Sequence, residues 1–92
     1  MDTGVELVGV KNGIGLFYDY SAGKESVNAK EIPLVTFIDK EYACRNFKST
    51  GNEITLNGIK FNSIKAMLAY TDSLFEADLK SSEHTRNGWY FF

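Results

Sequence analysis

Ile54-Thr55-Leu56-Asn57-Gly58-Ile59-Lys60-Phe61 is two runs of β-forming residues joined by an Asn-Gly pair. Both central residues of a type I′ turn need positive φ, which Asn and Gly tolerate best. A two-residue turn here pairs Leu56 with Ile59, Thr55 with Lys60 and Ile54 with Phe61. All four apolar side chains then fall on one face, so turn chemistry and alternation agree on a hairpin.

The same pair recurs at 12–13 and 87–88. Around the first, Val5 to Val10 and Ile14 to Tyr20 read as strands, with Val8 opposite Phe17 and Val10 opposite Gly15. Both faces of that hairpin carry apolar residues, Leu7, Leu16 and Tyr18 on one of them, which predicts a central or doubly covered hairpin. Residues 21–31 are polar and read as a surface loop. Leu34-Val35-Thr36-Phe37-Ile38, after Pro33, reads as a strand with proline at its start. Residues 39–48 fit either a returning strand through Tyr42, Cys44 and Phe47 or a helical turn capped by Asp39; the strand is favoured.

The apolar period then changes. Ile64, Met67, Leu68, Thr71, Phe75 and Leu79 recur at helical spacing between Ser63 and Lys80, with Asn62 or Ser63 as the cap. Trp89-Tyr90-Phe91-Phe92 reads as a further strand. The fold predicted is one α+β domain over 1–92: an antiparallel meander sheet of about six to seven short strands, with one long helix packed on one face.

Ninety-two residues make one compact domain with little room for a deep cavity. No run approaches the ~20 apolar residues that span a bilayer, and Met1-Asp2-Thr3-Gly4 lacks a basic region and an apolar run, so neither membrane nor signal peptide is expected. One cysteine, Cys44, excludes an internal disulfide and fits a reducing compartment, hence a cytoplasmic location. The net charge of −2 is uneven: residues 40–65 carry five bases against two acids. That is sparse for a dedicated nucleic-acid binder.

Catalytic chemistry has few candidates. Cys44 and His84 could form a thiolate–imidazolium pair, but nothing in the spacing brings them together. Ser81-Ser82-Glu83-His84 holds triad residue types as sequence neighbours, which cannot converge on one point. A structural zinc needs about four Cys or His ligands, and two residues of those types are present, so no metal and no cofactor is expected. Asp72 and Glu76 share a helix face that reads as solvated. Gly13-Ile14-Gly15 lies within a hairpin, not between strand and helix, and so is no phosphate loop.

The reading by elimination is a small non-enzymatic protein-binding or inhibitory protein, of the kind a phage or mobile element uses to block a host protein. An immunity protein or antitoxin is a version of the same idea. A small nucleic-acid-binding module, using the basic middle with Tyr42 and Phe47 as stacking residues, is the alternative from another class. Two contact surfaces for a protein partner or a second copy are expected. One is a charge-free helical stripe through Ala66, Tyr70, Ser73 and Ala77, small residues around one tyrosine. The other is the aromatic run, through Trp89 and Tyr90.

Overall fold

The computed structural model describes residues 4–23, 25–51 and 53–92. At all three Asn-Gly pairs both residues take positive φ: 48° and 80° at 12–13, 53° and 81° at 57–58, 56° and 82° at 87–88. Each closes a hairpin. β1 (Val5–Lys11) runs into β2 (Ile14–Asp19), β6 (Ile54–Leu56) into β7 (Ile59–Phe61), and β8 (Thr85–Arg86) into β9 (Trp89–Phe91). A fourth hairpin joins β4 (Glu41–Cys44) to β5 (Phe47–Thr50), turning on Asn46 at φ 69°. β3 (Asn28–Pro33) pairs along β2.

The class is α+β, as read from the sequence. Among the described residues there are nine strands in two antiparallel sheets, in the orders β3-β2-β1-β9-β8 and β4-β5-β6-β7. The expected single meander of six to seven strands divides at the 3-10 turn Leu34–Phe37, after which β4 does not pair with β3, and the β8–β9 hairpin then returns to β1 to extend the first sheet.

β1 explains how the halves join. Counting outward from Asn12-Gly13 puts Val8 against Phe17. Val10 does face Gly15 as that count expects, but a β-bulge between Leu7 and Gly9 puts Leu7, not Val8, against Phe17. The extra residue brings Leu7 and Val10, three apart, onto one face, and both are fully buried. It also divides the strand's free edge between two partners. Leu7 N–H donates to the Arg45 carbonyl at 2.9 Å and Arg45 N–H to Val5 at 3.0 Å, while beyond the bulge Gly9 and Val10 pair with Phe91 and Tyr90. Phe92 N–H donates to the Val8 carbonyl itself.

Leu7, Val10 and Phe17 from the five-stranded sheet meet Phe47, Ile54 and Leu56 from the four-stranded one, with Leu34, Phe37 and Met67 completing the core. Phe37 stacks within 5.0 Å of Phe47 and 4.7 Å of Tyr42. Leu34–Phe37 is a 3-10 turn, not the strand its composition predicts. Leu34 N–H donates to the Gly13 carbonyl and Thr36 Oγ1 to the Pro33 carbonyl, and the three-residue period buries Leu34 and Phe37 together. The strand lies earlier, in the segment that reads as a loop. Residues 39–48, read as one returning strand, are extended but fold back on themselves: Tyr42 and Cys44 lie in β4, and Phe47 opens β5 beyond the turn at Asn46.

One α-helix, α1 (Ile64–Asp78), is capped by Ser63, whose Oγ accepts from Ala66 N–H at 3.1 Å. It packs on β6 and β7. Met67 and Thr71 are buried, but Leu79 is 71% exposed and Asp78 turns inward in its place. The apolar stripe ends early because the chain leaves the helix there, and Asp78 anchors the segment leading into β8. Its Oδ1 accepts from Ser81 Oγ, and its Oδ2 accepts from the backbone N–H groups of His84 and Thr85 at 3.0 and 2.9 Å.

Candidate functional site

Directly paired residues of an antiparallel sheet share a face, so the register assigns every side chain of the five-stranded sheet. The inner face carries Leu7, Val10, Phe17 and Tyr90. On the outer face, Glu31, Leu16, Gly9 and Phe91 form one row across β3, β2, β1 and β9, and Pro33, Ile14 and Lys11 form the next. Tyr18 stands beside Glu6 and Ala29, and Trp89 beside Arg86. The helix and the four-stranded sheet belong to the other side. At its thinnest the molecule measures 19 Å, room for about two packed layers.

This outer face is aromatic. Tyr18, Trp89 and Phe91 are half-buried, and Tyr20, stacked on Tyr18 at 6.2 Å, is 36% exposed. Gly9 makes the platform possible. A Cβ there would stand 2.9 Å from the Tyr90 carbonyl and 3.2 Å from the Phe91 ring, so the absent side chain lets Phe91 lie flat across β1. The charges are ordered. Lys11 Nζ sits 5.6 Å from the Trp89 ring centre and the Arg86 guanidinium 5.9 Å from that of Phe91. Glu6 accepts a 3.2 Å hydrogen bond from the Tyr20 hydroxyl. Burial first, and Glu6 second, hold the Tyr20 pKa above its ordinary value. Lys11 and Arg86 thus stand toward the β8–β9 end of the face, whereas Glu6 has the exposed Arg45 paired beside it and Glu31 lies on β3.

No family model, no curated protein and no solved structure matches this chain.

The residues singled out from the sequence divide between two places. Trp89 is on the outer face. Tyr90, one residue on, points inward, packed with Phe75, His84 and Phe92 at ring separations of 6.1, 5.4 and 5.7 Å. Burial raises its pKa, with further contributions from Asp78 and Tyr70. The helical stripe is exposed at Ala66, Ser73 and Ala77, but Tyr70 is half-buried, packed against the core and stacked on Phe61 at 5.3 Å. Its Tyr70 end thus adjoins the inner aromatic cluster.

The stacking surface expected through the basic middle does not form. In β5, Phe47 and Ser49 alternate inward with Lys48 and Thr50 outward, so Phe47 is 2% exposed. Tyr42 packs among Phe17, Phe37 and Phe47, and burial, then Cys44, push its pKa up to about 12. Cys44 and His84 belong to different sheets: Cys44 ends β4, and His84 precedes β8 with its ring on Tyr90. Ser81 Oγ is bonded to Asp78. A shallow groove of about 380 Å³ runs over Glu41, Tyr42 and Lys48, and the serine lining it, Ser49, is 1% exposed with its hydroxyl directed to the carbonyls of Phe37 and Lys40. Among the described residues, no three His, Cys, Asp or Glu side chains are grouped to hold a metal ion, and no helix is long and apolar enough to cross a membrane.

The sequence signal for the outer face is the two-sided hairpin with Leu16 and Tyr18. Two apolar faces predict double cover; among the described residues the helix and the four-stranded sheet lie on the inner side, while Leu16 on the outer face is 8% exposed.

Proposed function

We propose that this chain works by binding another protein chain, without chemistry of its own, and that the outer face of the five-stranded sheet is the contact surface. The observation that carries this is the aromatic platform of Tyr18, Tyr20, Trp89 and Phe91 on the sheet face turned away from the helix and the four-stranded sheet. Trp, Tyr and Arg dominate protein-interface hot spots, and a platform fixed on strands loses little conformational entropy on binding. Blocking a partner's surface by occupying it is the inhibitory use of such a contact, and cytoplasmic action suits the lone thiol. The paired cations over Trp89 and Phe91 also suit a nucleic-acid strand. Glu6 and Glu31 on the same face, with a net charge of −2, oppose phosphate.

The test is quantitative affinity capture with wild type and Trp89→Glu, each checked for an unchanged melting curve. Loss of the captured chains in the variant, whether foreign proteins or untagged copies of this one, supports the reading. Equal capture by both removes it. Single-stranded oligonucleotide binding that weakens steeply with salt and vanishes in Trp89→Glu would put nucleic acid in its place.

A further inference from the structure

We infer that Asn87-Gly88 is a self-modifying site: with Lys11 beside it, Asn87 loses its amide as ammonia, and the turn between β8 and β9 acquires an isoaspartate next to Trp89. In an Asn-Gly pair no side chain shields the backbone nitrogen that follows the asparagine. The Gly88 nitrogen gives its proton to hydroxide and bonds to Asn87 Cγ. The Cγ–N bond of the amide then breaks, and its nitrogen takes a proton from water and leaves as ammonia. Water opens the resulting cyclic imide at either carbonyl, leaving aspartate or isoaspartate, with no change of oxidation state.

The chain has three such pairs, and the fold separates them. Attack requires rotation about the asparagine backbone, so a turn held shut reacts slowly and one that opens locally reacts fast. Asn12-Gly13 is held hardest. The Gly13 carbonyl accepts from Leu34 N–H at 2.9 Å, and the paired strands β1 and β2 run on behind the turn. Asn57-Gly58 is tied to the neighbouring turn by Asn57 N–H, which donates to the Asn46 carbonyl at 2.9 Å, and three residue pairs follow it. Asn87-Gly88 is closed by two pairs, Arg86–Trp89 and Thr85–Tyr90, at the edge of the sheet. Both of its residues are exposed, and among the described residues no backbone hydrogen bond from outside the hairpin reaches either.

A cation is the second distinction. Lys11 crosses this turn on its way to the Trp89 ring, with Cε and Nζ 3.2 and 3.5 Å from where a Gly88 Cβ would stand. A positive charge that close favours loss of the Gly88 N–H proton and stabilises the oxyanion forming on Asn87. The same position at Gly13 meets Leu68, and at Gly58 it is open space. Isoaspartate routes the main chain through the side-chain carbon, so a two-residue turn matched to the strand twist gains a methylene. Its carboxylate stands beside Lys11 and draws that cation from Trp89. The outer face therefore changes as the molecule ages, a consequence that rests on the reading of that face as a contact surface.

The test is peptide mapping by mass spectrometry of the 92-residue chain during incubation in mildly alkaline buffer. Trypsin, cutting after Lys11, Lys48, Lys60 and Arg86, puts the three pairs in separate peptides. Asn87 should convert severalfold faster than Asn57, and Asn12 slowest. Lys11→Gln should slow Asn87 severalfold and leave Asn57 unchanged, and Lys11→Arg should restore the rate. In concentrated urea, where the turns are gone, the three rates should converge. The inference is overturned if Asn12 or Asn57 converts first in the folded chain, if the folded chain shows no difference between sites, or if Lys11→Gln converts Asn87 as fast as wild type. Aged wild type should lose its captured chains in step with conversion at Asn87. Asn87→Gly, a pair that suits the turn and has no amide to lose, should keep them. Capture unaffected by conversion overturns the consequence for the face. If fresh protein captures nothing, the contact reading falls, and the measured rates alone decide the modification site.

Discussion

The hairpins β6–β7 and β1–β2 are closed by the same Asn-Gly pair, in nearly the same backbone conformation. The first keeps the register its turn sets for all three pairs, from Leu56–Ile59 to Ile54–Phe61. The second keeps it for three pairs and then slips at Val8. The difference lies in what the strands must serve. β7 is an edge, while the free side of β1 is shared by Arg45 from one sheet and β9 from the other. A turn determines pairing over its first few residues; beyond that, the partners on the other edge decide where the extra residue goes.

That comparison can be broken most forcefully at Leu7, which the bulge alone brings to face Phe17. Leu7→Ala should cost about 2–5 kcal/mol in urea unfolding. A change under about 0.5 kcal/mol, typical of surface sites, would mean that the slip is not there.

Gly15, opposite Val10, comes next. A Cβ would stand 2.7 Å from the Phe17 ring, 2.9 Å from Leu34 and 3.0 Å from Leu7. Gly15→Ala should therefore cost about 1–3 kcal/mol through overpacking, though its backbone needs no special φ.

Gly58 sharpens the contrast from the other hairpin. It has φ +81° and open space around it. Gly58→Ala should cost only the left-handed backbone penalty, about 1 kcal/mol, so equal losses at Gly15 and Gly58 would contradict the burial difference between the hairpins.

The third Asn-Gly hairpin, β8–β9, is held from outside by Asp78. Burial of that carboxyl raises its pKa, but bonds from Ser81, His84 and Thr85 outweigh burial and leave it below the ordinary 3.8. Its contribution to stability is thus fully present above that ordinary value and lost as pH falls through the lower folded-state value. The melting temperature of Asp78→Asn should fall below wild type at pH 7, and the gap should narrow in strong acid. A gap that widens on acidification would reverse the sign.

The smallest effect is expected at Leu79. Helical spacing places it in the core stripe, whereas it is exposed, so Leu79→Ala should stay within about 0.5 kcal/mol of wild type in urea unfolding, and a core-sized loss would restore the spacing argument.

Much of the local structure was legible in the residues. Three hairpin turns, the helix with its Ser63 cap, the strand nature of 39–48 and the α+β class follow from turn chemistry, capping and apolar period, which act over a few neighbours. Leu34–Phe37 misled because its β-branched and aromatic content fits a strand while its three-residue spacing fits a 3-10 turn, and short apolar runs carry both signals. Of the candidate site, Trp89 and the two-sidedness of β2 were visible. Lys11, Arg86, Glu6 and Glu31 were not, since they come together only when β1, β3 and β8 are set in one sheet.

By itself the sequence determined where the chain turns, which segment coils, and that Trp89 and Phe91 face away from Tyr90 and Phe92. Only the tertiary structure decided which of those faces is covered, that Val8 bulges, that the sheet breaks between β3 and β4, and that β9 docks on β1. Alternation defines two faces of a strand but does not label them. The label comes from contacts between residues far apart in the chain, such as Leu7 with Phe17 and Arg45, whose formation is decided by the packing of the whole core.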